Sequence, residues 1–180
     1  MNVPRILVAG VGNIFLGDDA FGVEVTQHLA QRNLPEEVRV VDFGIRGLDL
    51  TYALLDGYET VILVDALRRG ETPGTLYVIE PSPAGPGESR SGDLLIDGHN
   101  MDPAKVLRLA VSLGAEIKRV LLVGCEPTRT TAPEEMQMKM SEPVRAAVPE
   151  AVVLIESLLT KVLRGKGTTQ EKACTSFRSP

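Results

Sequence analysis

One stretch constrains this chain more than any other: Gly10-Val-Gly-Asn-Ile-Phe-Leu-Gly-Asp-Asp-Ala-Phe-Gly22. It follows the apolar run Ile6-Leu-Val-Ala9 and leads into a helix-patterned segment, Phe21 to Leu29. Strand, glycine-rich turn and helix is the usual opening of an α/β nucleotide-binding unit. Two details turn the reading elsewhere. The third glycine of G-x-G-x-x-G is replaced by Phe15, where only a hydrogen side chain lets the helix pack closely on the strand. Asp18 and Asp19 also stand near the start of the helix, where a dinucleotide would place its pyrophosphate. A helix N-terminus attracts one anion. Two carboxylates already there repel a second, and they suit a metal cation.

The rest of the chain alternates strands with helices. Ile6 to Ala9 is continuously apolar, as a buried parallel strand requires. A first helix is expected from Asp19 to Arg32, with Phe21, Val25, His28 and Leu29 on one broad side, ending before Pro35. Val38 to Phe43 reads as a strand running into the turn Gly44-Ile-Arg-Gly47. Leu48 to Leu55 reads as a short helix stopped by Asp56-Gly57. Thr60 to Ala66 is the strongest strand, β-branched and apolar, with Asp65 at its carboxyl end. The polar link Arg68 to Pro73 is too short for a crossover helix, so the strand Thr75 to Ile79 is expected to run antiparallel. Glu80 to Gly98, rich in Pro, Ser and Gly, reads as a long surface loop. Pro103 to Leu113 is a helix with Asp102 as N-cap, and Arg119 to Val123 is the last core strand, ending in Gly124-Cys-Glu-Pro127. Thr128 to Met140 is a loop, and Ser141 to Leu163 a helix that Pro149 either interrupts or kinks. Residues 1–164 form one domain in this reading, and Gly165 to Pro180 a disordered tail. The order of elements predicts a three-layer α/β/α domain with right-handed crossovers.

In such sheets ligands bind beyond the carboxyl ends of the strands. That rule selects Asp18 and Asp19, Asp42, Asp65, Cys125 and Glu126; His99, just ahead of a helix, can reach the same edge. Two carboxylates and an imidazole form a mixed oxygen and nitrogen set that suits a divalent first-row metal, nickel and zinc alike. No H-E-x-x-H pair and no G-x-S-x-G elbow is present. Each candidate has a plainer role beside the chemical one. Asp18 caps a helix, Asp65 closes a turn, His99 is a solvated turn residue, and Cys125 is a small buried side chain rather than a nucleophile paired with His99.

Composition narrows the function classes. The 180 residues carry a formal net charge of -5, which leaves no electrostatic footprint for nucleic acid. The apolar run after Met1-Asn-Val-Pro-Arg5 is too short for a signal peptide or membrane span, and two cysteines make no disulfide framework. The expectation is a cytoplasmic protein that engages neither nucleic acid nor membrane.

The ordered motifs resemble those of one family. Gly10-Val-Gly-Asn13 with Asp18-Asp19-Ala-Phe-Gly22, then Asp42-Phe-Gly44 with Gly47, Val64-Asp65-Ala66, Gly98-His99, Gly124-Cys-Glu-Pro127 and Ser141 to Pro149 are similar to the [NiFe]-hydrogenase maturation endopeptidases. These remove a C-terminal peptide from the hydrogenase large subunit once nickel has been inserted. The resemblance covers roughly Arg5 to Leu163. It implies a mixed five-stranded sheet with the fourth strand antiparallel, a phosphorylase/hydrolase-like fold. It further implies a metal site of Asp19, Asp65 and His99 that senses nickel supplied by the precursor, with Asp19 or Asp65 as catalytic base, in a monomer whose partner is the large-subunit precursor. The alternative is a non-catalytic dinucleotide- or nickel-binding module of Rossmann-like fold, in which Asp42 would take a ribose. The resemblance departs between Thr128 and Met140, which lack the glycine-rich run that precedes the family's closing helix.

Overall fold

The computed structural model describes residues 5–81, 103–129 and 139–165. Five strands, β1 (Ile6–Val11), β2 (Val38–Gly44), β3 (Thr60–Ala66), β4 (Leu76–Ile79) and β5 (Arg119–Cys125), lie in the order β2-β1-β3-β5-β4. β1 pairs in parallel with β2 and β3, and β3 with β5. β4 alone is antiparallel, along the outer side of β5. The short link after β3 leaves no room for the crossover that a parallel strand would need.

Four helices, α1 (Phe21–Leu29), α2 (Gly47–Ala53), α3 (Pro103–Ser112) and α4 (Glu142–Arg164), cover the two faces of the sheet. Successive strand residues point to opposite faces. Ile6 and Val8 therefore join Ile62, Val64, Leu121 and Val123 under α1 and α4, against Phe21, Val25, Leu29, Val148 and Ile155. Leu7 and Ala9 join Val61, Leu63 and Leu122 on the other side, against Leu50, Leu54, Val106 and Ala110. Because both faces are covered, β1 and β3 read as unbroken apolar runs. The three-layer α/β/α arrangement with a mixed five-stranded sheet stands as expected. No helix among the described residues is long and apolar enough to cross a membrane.

The departures are local. The first helix is preceded by a 3-10 turn, Gly17–Ala20, that contains both acids. His28 is exposed and not on the buried side; its Nδ1 lies 2.8 Å from the Glu24 carbonyl oxygen. The second helix ends in a 3-10 turn closed by Gly57 at φ 86°. α4 runs unbroken through Pro149. The loop expected from Glu80 to Gly98 lies largely outside the described residues. So does the one from Thr128 to Met140. His99, Asp102 and the tail after Gly165 lie wholly outside them.

Glycines let the first helix sit directly on the sheet backbone. A Cβ at Gly22 would lie 2.1 Å from the Val64 carbonyl oxygen and 2.3 Å from that of Val11. One at Gly10 would lie 2.2 Å from Thr26 Oγ1 and 2.4 Å from the Gly22 oxygen. The close-packing glycine that the dinucleotide pattern puts at position 15 is thus supplied at position 22. Its contacts are with backbone atoms of two different strands, which cannot rotate away. Gly22→Ala is expected to destabilise the fold at or above the upper end of the ~1–3 kcal/mol typical of overpacking, read as a shift of the urea midpoint. An unchanged midpoint would show that the helix stands off further than described.

Candidate active site

The edge beyond the carboxyl ends of the strands is built from the turn after β1 and the end of β3. At Gly12, φ is 133°, and a Cβ there would lie 1.8 Å from the Asp19 carbonyl oxygen. The backbone at Asp19 therefore crosses immediately over the end of the strand. The turn braces itself: Asn13 N–H donates to Asp19 Oδ2 at 2.6 Å, Phe15 N–H to Asn13 Oδ1 at 3.0 Å, and Asp19 N–H to the Leu16 carbonyl at 3.1 Å. A short bond to a carboxylate holds both its position and its charge.

Asp65, the penultimate residue of β3, is half-buried beside this turn. Desolvation pushes its carboxyl well above the usual carboxylate range, and the Asp19 charge adds to the effect. The Ala66 N–H, donating to Asp65 Oδ1 at 2.8 Å, works in the opposite direction and does not win. Two acids whose fields meet can share a proton, take one from a water, or bind a cation that relieves their repulsion. Among the described residues no group of three His, Cys, Asp or Glu side chains is arranged to hold a metal.

The other edge candidates part company with the pair. Asp18 does not cap the first helix, contrary to its plainer reading; it accepts from Thr128 N–H at 2.8 Å, Ser141 N–H at 2.6 Å and Ser141 Oγ at 2.9 Å. Asp42 accepts a long bond, 3.3 Å, from Gln27 Nε2. Cys125 is fully buried. Burial, with the charges of Asp18 and Glu126, pushes its thiol up to about 12. A thiol held neutral in this way is no nucleophile.

Glu126 has a structural part that its position alone did not show. It is buried and accepts from Arg69 N–H at 2.7 Å, Gly70 N–H at 3.0 Å and Tyr77 Oη at 2.6 Å. Burial alone would raise its proton affinity; these bonds, with one from the Glu71 backbone, outweigh burial and hold the carboxyl below its ordinary value. Tyr77 is raised in turn, by desolvation and by its bond to Glu126, and Arg69 lies 5.6 Å over its ring. The network anchors the segment that leaves Asp65. It joins residues about fifty positions apart, and no local pattern announces it.

The turns at this edge carry exposed apolar side chains. Ile14 and Phe15 on the first turn, and Ile45, Leu48 and Tyr52 on the turn after β2 and its helix, each expose more than half of their area. The two turns are tied by Gly12 N–H donating to the Gly44 carbonyl at 3.1 Å. Exposed apolar side chains beside a site are suited to a polypeptide rather than to a small polar ligand.

Comparison with known proteins bears on the fold and the family. A family model described as hydrogenase maturation protease matches residues 23–158, a span that begins just after the acid pair. A Methanocaldococcus jannaschii relative that bears the hydrogenase maturation protease name is 34% identical over 156 residues, 86% of this chain and 96% of its own. The solved hydrogenase maturating endopeptidase HybD of Escherichia coli superposes with a TM-score of 0.68 at 27% identity, over 88% of this chain and 93% of that one. A hydrogenase 2 maturation peptidase from a Thaumarchaeota archaeon reaches 36% identity and a TM-score of 0.62, over 86% and 97%. With fold and sequence in agreement, this chain belongs to the hydrogenase maturation protease family.

Proposed function

We propose that this protein is the endopeptidase that removes the C-terminal extension of a [NiFe]-hydrogenase large-subunit precursor after nickel insertion, and that it senses the nickel through Asp19, Asp65 and His99. The observation that carries this reading is the meeting of Asp19 and Asp65 at the sheet edge, close enough for one charge to raise the proton affinity of the other. Such a pair favours a cation. In this reading the cation is carried in by the substrate. Nickel on the precursor would supply Lewis acidity next to the scissile carbonyl. The chain's own part is then to hold the precursor on the apolar rim and to take a proton from the attacking water at an Asp19 or Asp65 carboxylate oxygen. His99 enters through the family resemblance.

Intact-mass analysis of the precursor, prepared with and without nickel and incubated with this protein, tests the reading. The expected result is loss of a C-terminal peptide from the nickel-loaded form alone, and a fall of at least ~10²-fold for Asp19→Ala or Asp65→Ala, the scale of a lost acid–base group. His99→Ala should lose cleavage of the loaded form. Cleavage regardless of nickel would keep the protease and remove the sensing role. Absence of cleavage by folded protein would leave a nickel-binding module.

Asp65 also makes a stability prediction. Its folded-state proton affinity is raised. The stability it contributes is therefore full below the ordinary carboxylate range and is lost as pH rises through the raised value. Asp65→Asn should melt higher than the parent at neutral pH, and the difference should close in acid. A Tm difference independent of pH would contradict the assignment. For Cys125, native protein treated with iodoacetamide should stay unlabelled at that residue by peptide mass mapping, and label on unfolding.

A further inference from the structure

The signature places two acids side by side, yet only Asp19 lies over the end of β1 next to Asp65. Asp18 is bound instead into the seam between the end of β5 and the start of α4. Three hydrogen bonds engage its carboxylate there. Oδ2 accepts the Thr128 N–H at 2.8 Å and the Ser141 hydroxyl at 2.9 Å, and Oδ1 accepts the Ser141 N–H at 2.6 Å. The Thr128 hydroxyl donates in turn to Ser141 Oγ at 2.8 Å, so the Ser141 oxygen both gives and receives. Three neutral donors thus converge on one carboxylate from partners 110 and 123 positions away in the chain.

That convergence has a direction. Ser141 precedes α4, but its hydroxyl caps no N–H of its own helix. A serine at that position ordinarily bonds the N2 or N3 amide; here the bond is redirected to Asp18. The carboxylate also sits at the positive end of a 23-residue helix, where a negative charge is favoured. Asp18 and Asp19 share one 3-10 turn, Gly17–Ala20. Holding the first of two consecutive residues fixes the backbone from which the second projects. Gly12 then leaves no slack, because the Asp19 carbonyl already lies against it.

We propose that Asp18 is a positioning residue for the acid pair. By clasping Thr128 and Ser141 it fixes the turn that aims Asp19 at the edge, and it makes the geometry of the site depend on the join between β5 and α4. This rests on the reading that Asp19 serves the cleavage reaction. The Asn13 amide, which donates to Asp19 Oδ2 at 2.6 Å, gives a readout that does not depend on it.

The test uses the full chain with Asp18→Ala, Asp18→Asn and Ser141→Ala, each shown to be folded by circular dichroism. Amide hydrogen exchange should show lost protection at Thr128 and Ser141 in Asp18→Ala, and also at Asn13, which touches Asp19 and not Asp18. On nickel-loaded precursor, kcat should fall ~10²-fold, the scale of a misplacement of about 1 Å, with KM changed by less than about twofold. Asp18→Asn, which keeps the shape but loses one acceptor, should fall less. Ser141→Ala should fall by a smaller factor still and add nothing to Asp18→Ala, because both act on one clasp. Unchanged protection at Asn13 would overturn the proposal, as would a rise in KM at constant kcat, which would mean that Asp18 contacts the precursor instead. If the parent protein cleaves nothing while Asn13 still loses protection, the clasp stands and the cleavage reading falls.

Discussion

The structure depends on backbone touching backbone where no side chain intervenes. Gly10, Gly12 and Gly22 bring the first turn and helix onto β1 and β3 at distances that exclude even a methyl group. Helix–strand packing through side chains would lift that helix by several ångströms. Asp19 would then stand away from the sheet, and its charge would no longer reach Asp65. The glycines thus connect packing to chemistry: they cost conformational entropy in the unfolded chain and set the distance at which two like charges are forced to meet.

That meeting works against stability, as functional sites commonly do. Asp65 could have been an apolar residue, as its strand neighbours are, and the Thr60–Val64 run would have continued into the edge. An acid there loses solvation and faces a second acid. The neighbouring elements hold it in place regardless. β3 lies between β1 and β5, and the segment leaving Asp65 is anchored by Glu126 and Tyr77. Near-identical residue types at one edge are given opposite electrostatic surroundings, and those surroundings, more than the residue types, assign their work.

Much of the fold was legible along the chain because its signals are local. Thr60 to Ala66 is apolar and β-branched, and it is a strand over that span. The missing crossover after it pointed to an antiparallel β4. Asp19 and Asp65 were selectable because strand ends define where ligands bind. What escaped was non-local. Asp18 looked like a cap since acids commonly are caps, and its partners arrive from the far end of the sequence. Glu126 was one candidate among several until Arg69, Gly70 and Tyr77 gathered around it. His28 falls at helical spacing with Phe21, Val25 and Leu29, but the buried stripe is narrower than that spacing allows: the three apolar residues are buried and the histidine turns to solvent. Phe15 broke the dinucleotide pattern, while the glycine that does the packing stood outside that pattern at position 22.

The two edge acids that leave β3 and β5 have opposite proton economies. Asp65 holds its proton more tightly than a free carboxylate, and Glu126 less tightly. As pH falls, Asp65 is neutralised before Glu126, which keeps its charge and its grip on the segment beside Arg69 longer. On a descending pH scale the acid beside the first turn therefore takes up its proton before the acid that grips Arg69 and Gly70 does.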